Sequence, residues 1–226
     1  MTIPGKTPTT FEVLQFHIHI GSDHALGGDY FGAEYHIVHM NVIDSTKFAV
    51  LGFFLEPTNN QDANNFGDYL PGWKAVQAET LGKCGGNITK KSTASTRERR
   101  RSGRKLGAAI FDPYKLVPKN ATFYYYSGSL TNPPCSEVVT WNVVDTPVSL
   151  SPREYVTITD LILDYVDPTS CAYASIAAPS GYTARPVQSI NGRTITRKCP
   201  KGAGPPPPLP PPKCGFFRNL LRLCDA

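Results

Sequence analysis

Apolar and polar positions alternate along Phe11–Ile20 (FEVLQFHIHI), with Phe16, Ile18 and Ile20 on one parity and His17 and His19 on the other. A period of two is that of a strand whose successive side chains point to opposite faces, so these residues are predicted to form one. Tyr35–Val42 (YHIVHMNV) is again rich in β-formers and predicts a neighbouring strand beyond the turn-prone pair Gly27–Gly28. Phe48–Leu55 is an unbroken apolar run of eight residues closed by Glu56–Pro57, which predicts a strand buried on both faces and is too short for a helix. Residues 58–70 are polar and 73–83 (WKAVQAETLGK) mildly amphipathic, giving one short helix at most. Thr122–Tyr126 and Glu137–Val144 read as strands around a tight Ser127–Pro134 corner (SGSLTNPP). Residues 152–166 have apolar spacing that fits a helix, against a β-branched content that favours a strand.

This pattern divides the chain into a polar lead-in (1–10), one domain (11–198) carrying a basic inserted loop (83–107), and a tail (199–226). The tail opens with a polyproline spacer, PPPPLPPP, and ends in KCGFFRNLLRLCDA, a short disulfide-closed or membrane-surface helix or else a frayed end. With 226 residues, 40% of them hydrophobic, the chain can bury a sizeable core; 21 prolines and 19 glycines make it loop-rich.

Charge changes the picture. The formal net charge is +5, yet Lys83–Lys105 alone holds nine Lys or Arg against one Glu, and Arg197–Ala226 holds six against one Asp. The rest of the chain is therefore acidic, which argues against a nucleic-acid partner, because a phosphate-tracking surface belongs on the folded domain. The basic loop suits a solvated loop, a polyanion or mineral contact, or a cleavage site at Arg97–Arg100. Met1–Lys6 contains no export signal and no stretch approaches the roughly 20 apolar residues of a transmembrane helix. Six cysteines and two glycosylation sequons, at Asn87 and Asn120, point instead to a secreted protein, with the cytoplasm as the alternative. Six cysteines allow 15 pairings if all are bonded, and the sequence does not choose among them.

All five histidines (17, 19, 24, 36 and 39) lie between Gln15 and Asn41. His17 and His19 present two imidazoles on one face of a strand, and a neighbouring strand can add His36. Three imidazoles leave the fourth tetrahedral position of a zinc ion open, which is the pattern of a catalytic site.

The motifs QFHIHIGSDH, AEYHIVHMN, AVLGFFLE, YYSGSLTNPPCSEVVTW and RPVQSINGR, in this order over residues 11 to about 196, resemble the α-class carbonic anhydrases. The resemblance implies an α+β, mainly β fold with a large, mostly antiparallel central sheet. It implies Zn2+ held by His17, His19 and His36, and reversible hydration of CO2 to bicarbonate and a proton by zinc-bound hydroxide. Thr131 matches the family's gatekeeper, whose hydroxyl accepts the hydroxide proton and donates in turn to a carboxylate, here Asp23. Gln15 would orient His17, Glu34 would accept from His36, and Tyr126 matches a residue in the hydrogen-bond network behind the zinc. Val38, Val50, Leu130, Val139 and Trp141 match the apolar wall where CO2 rests, and Asn132 lines the same pocket. His24 and His39 match structural histidines of the family.

Against the family pattern, Asp23 replaces a glutamate and is one methylene shorter, Ile20 and Met40 replace tryptophans, and Ala184 replaces another aromatic residue. Only 16 residues precede His17, so the expectation is a domain lacking the family's N-terminal strands and its histidine proton shuttle. Turnover would then depend on buffer or a water relay, since a positioned base contributes typically 10²- to 10⁴-fold. The alternative is a catalytically weak or inactive carbonic-anhydrase-like binding or matrix protein, for example one associated with a biomineral.

Overall fold

The computed structural model describes residues 10–85, 112–175 and 181–199. They form a mixed sheet with two helices, an α+β fold that is mainly β. The elements are β1 (Phe11–Ile20), β2 (Ala33–Asn41), β3 (Phe48–Pro57), α1 (Leu70–Lys83), β4 (Phe123–Gly128), β5 (Val139–Leu150), α2 (Pro152–Leu163) and β6 (Thr196–Lys198). The strand order is β1-β2-β3-β5-β4-β6, and only the β3–β5 contact is parallel.

Alternation along the strands sorts the side chains into two layers. On one face Ile20, Ala33, Tyr35, Ile37, Phe53, Leu55, Val144 and Leu150 are buried together with Phe66, Leu70, Leu116 and Ile158, under α1 and α2. On the other face Val38, Val50, Phe54, Val139, Trp141 and Val143 form a second apolar cluster. The residues of opposite parity in β1 and β2, His17, His19, Glu34 and His36, belong to this second face. A one-residue slip would carry all four to the helix-covered side, so burial of Tyr35 and Ile37 fixes the register that assembles the histidines.

Two segments differ from expectation, and one open reading is resolved. The helix after residue 70 is not short: α1 has 14 residues, although only Leu70 is buried and the Tyr69 N-cap makes no side-chain capping hydrogen bond. Residues 152–163 are helical despite their β-branched content, because Ser151 and Glu154 form a capping box and Ile158, Leu161 and Ile162 join the core. Strand β5 continues past Val144 to Leu150, since Val148, Ser149 and Leu150 pair with Leu55, Glu56 and Pro57 beyond a bulge in the ladder.

A disulfide joins Cys84, the C-cap of α1, to Cys171; Cys199 is also disulfide-bonded and Cys135 is free. No helix among the described residues is long and apolar enough to cross a membrane. Asn87, nearly all of the basic loop and the Pro-rich tail lie outside the described residues, whereas Asn120 sits exposed in a left-handed turn at φ 60°.

Candidate metal centre

His17 and His36 face each other across the β1–β2 ladder, and His19 lies two residues along. Each ring has one nitrogen engaged by an oxygen outside the cluster. His17 Nδ1 lies 2.9 Å from Gln15 Oε1, His19 Nδ1 lies 3.1 Å from the Thr183 carbonyl, and His36 Nε2 lies 2.8 Å from Glu34 Oε1. Carbonyl and carboxylate oxygens only accept, so these nitrogens carry the protons and the remaining ones keep their lone pairs. His17 Nε2, His19 Nε2 and His36 Nδ1 are then turned toward one space.

Two observations show that this donor set fits a cation. His17 Nε2 and His36 Nδ1 approach to 3.2 Å although neither has a proton left to give, and His19 Nε2 is buried without a hydrogen-bond partner. The three ligand atoms lie within 4.8 Å of one another. Neutral imidazoles suit zinc: burial, reinforced by His36 and His19, pushes the His17 pKa down to about 3. Burial and then His36 lower that of His19.

Behind these rings stands Glu34, fully buried. Its Oε1 also lies 2.6 Å from His24 Nδ1, and its Oε2 accepts the His24 main-chain N–H at 2.9 Å. Burial alone would raise the Glu34 pKa, but the facing imidazoles of His24 and His36 outweigh it and hold the carboxyl well below its usual value. For His24, burial works downward and the charge and hydrogen bond of Glu34 overcome it, so its pKa is raised. His24 Nε2 continues the chain to the Tyr126 hydroxyl at 2.7 Å. Gly52, opposite His36 in the ladder, makes room for Glu34: a Cβ there would lie 3.0 Å from Glu34 Oε1 and 3.4 Å from His36 Cδ2.

The structure gathers Val38, Val50, Val139 and Trp141, with Leu130 packed against them, into one apolar surface beside the histidines. The Trp141 ring stands 4.8 Å from those of both His24 and His36. Asn132 is exposed and lines a cleft of about 360 Å³ with Gln15, His17 and His19. Thr131 and Asp23 are not joined: Asp23 Oδ1 accepts the Arg185 main-chain N–H at 2.6 Å, while Oδ2 is buried without a hydrogen bond, 3.5 Å from His19 Nε2.

The family model for eukaryotic-type carbonic anhydrases matches residues 1–199. The chain belongs to this family. A carbonic anhydrase of Nostoc sp. is 29% identical over 185 residues, covering 82% of this chain and 53% of its own. Carbonic anhydrase 1 of Oryctolagus cuniculus is 30% identical over 199 residues, covering 84% and 74%. The α-carbonic anhydrase of Thermovibrio ammonificans, solved with the inhibitor sulfanilamide, matches with a TM-score of 0.51 at 27% identity over 83% of this chain and 63% of its own. The chain thus spans about half the length of the Nostoc carbonic anhydrase and under two thirds of the Thermovibrio chain.

One contributor to the histidine cluster escapes sequence reasoning. Thr183 holds His19 through its main-chain carbonyl, a group every residue carries, so no side-chain signal marks it. His24, which the resemblance implies is a structural histidine, bridges Glu34 and Tyr126.

Proposed function

We propose that this carbonic anhydrase family member binds zinc through His17, His19 and His36 and hydrates CO2 reversibly to bicarbonate. The observation that carries the reading is the convergence of three unprotonated ring nitrogens on one space, each ring fixed from behind by an oxygen. Zinc in such a site supplies the Lewis acidity that makes water a nucleophile near neutral pH.

The chain's own residues supply the rest. Gln15, the Thr183 carbonyl and Glu34 hold the tautomers that leave the lone pairs inward. The carboxylate of Glu34, shared between two imidazoles, fixes the orientation of the His36 ring. Val38, Val50, Leu130, Val139 and Trp141 give CO2 an apolar resting place and keep bulk water from it. The Thr131 hydroxyl would accept a hydrogen bond from the attacking oxygen and so aim its lone pair, and would donate its own O–H in turn to the Asp23 carboxylate, a bond the structure does not form.

Purified protein is expected to hold stoichiometric zinc and to accelerate CO2 hydration in stopped-flow, and His36→Ala to lose both. Zinc-free parent protein, or equal rates in parent and variant, would overturn the proposal. A second reading, a weak or inactive carbonic-anhydrase-like binding protein, is favoured by the lack of a hydrogen bond between Thr131 and Asp23, whose Oδ2 makes none; stoichiometric zinc without measurable hydration would select it. The Cys84–Cys171 disulfide supports a secreted, oxidising setting, and polyanion or mineral contact through residues 83–105 rests on charge alone.

A further inference from the structure

A short strap, Tyr182–Arg185, crosses the end of β1 and meets three separate parts of the metal centre. The main-chain N–H groups of Thr183 and Ala184 donate to the Ile20 carbonyl at 3.0 and 3.3 Å, and the Ile20 N–H donates to Thr183 Oγ1 at 2.8 Å. Gly21, at φ +77°, lies against the Tyr182 ring, where a Cβ would come within 2.8 Å of a ring carbon. The strap therefore seats closely on residues 20 and 21.

Arg185 ends the strap and divides its donors. Its main-chain N–H goes to Asp23 Oδ1 at 2.6 Å, and its Nη1 goes to Ser129 Oγ at 3.1 Å and, more weakly, to the Leu130 carbonyl at 3.5 Å. Ser129 and Leu130 immediately precede Thr131. The same corner is held from its other sides by Leu130 N–H to the Ser136 carbonyl and by Trp141 Nε1–H to the Ser129 carbonyl, both at 3.0 Å. Thr131 and Asp23 lie on different loops without a bond between them, and Arg185 is hydrogen-bonded to both loops.

We propose that Arg185 is a positioning residue that sets the distance between the Asp23 carboxylate and Thr131, its main chain holding the first and its guanidinium the loop that carries the second. The inference rests on the proposed CO2 hydration. A planar guanidinium fixes direction as well as distance, which a flexible ammonium does not. Because Asp23 is short, the separation of the two loops decides whether the threonine hydroxyl reaches it.

Arg185→Ala keeps the main-chain N–H, so it removes only the guanidinium arm. The variant is expected to lose about 10- to 100-fold in kcat, as a misplacement near 1 Å does, with KM for CO2, zinc content and melting temperature close to the parent's. A loss confined to kcat marks an interaction made in the transition state. Ser129→Ala should lose less and add nothing in the Arg185→Ala background, and Arg185→Lys should recover part of the rate. In metal-free protein, hydrogen exchange at the amides of residues 129–131 should quicken in Arg185→Ala and not in Arg185→Lys. Unchanged kcat with parent-like exchange would overturn the proposal, as would a loss that merely tracks lost zinc or lost fold. If the parent hydrates no CO2, the proposed function fails, and the exchange measurement still decides whether the guanidinium holds the Thr131 loop.

Discussion

Glu34 is the residue on which the site turns. Two strand positions from His36 and fully buried, it answers two imidazoles and a main-chain N–H with one carboxylate. A charge in that place is tolerated because three N–H groups meet it. Glu34→Gln keeps the shape and removes the charge, and is expected to weaken zinc affinity by about 10- to 100-fold, read by competition with a chromophoric chelator. The part of the site that follows a period of two was legible: His17, His19, Glu34 and His36 share a face because alternation demands it. What closes across loops was not. His24 reaches Glu34 from ten residues away, and Thr183 reaches His19 from 164 residues away through a carbonyl that no side chain announces.

Among the elements, α2 and α1 contrast in how they declare themselves. The α2 N-terminus carries Ser151 and Glu154, the S-x-x-E spacing of a capping box, and the structure forms both halves of it. That signal outweighs the valine, isoleucine and threonine content that blurs the helical reading, so here the sequence contained more than the apolar spacing alone revealed. Ser151→Ala is expected to cost about 1 kcal/mol, seen as a fall of a few degrees in melting temperature with no change in zinc affinity. In α1 the signal is weaker: a proline in its first turn, no side-chain capping hydrogen bond, scarcely segregated faces, and only Leu70 buried. Its 14 residues are anchored instead by Leu70 at one end and the Cys84–Cys171 disulfide at the other, a tie that spacing alone could not choose. The eight-residue run of β3, by contrast, was legible as a strand buried on both faces because two strands and two apolar layers enclose it.

At the scale of the whole molecule, His39 contributes a pH dependence separate from the metal centre. Its Nδ1 lies 3.0 Å from the Ala49 carbonyl, its Nε2 meets the Tyr114 hydroxyl, and burial holds its pKa below the usual 6.5. Below pH 6.5 the unfolded chain takes up a proton that the folded one refuses, so stability is full above that pH and is lost as pH falls toward the folded-state pKa. Denaturant titrations at several pH values should show this acid-side slope, and His39→Gln should flatten it. The position of β1 has a different consequence. Among the described residues it is a sheet edge, with Val13, Leu14 and Phe16 exposed by 46%, 53% and 37%. Two of the three proposed ligands sit on this strand and the third on its neighbour, so a bound ion would pin an otherwise sticky margin to the interior. Colloidal behaviour should then follow metal content: stripping the ion with a chelator is expected to raise light scattering with time, and restoring zinc before association sets in should keep the solution clear.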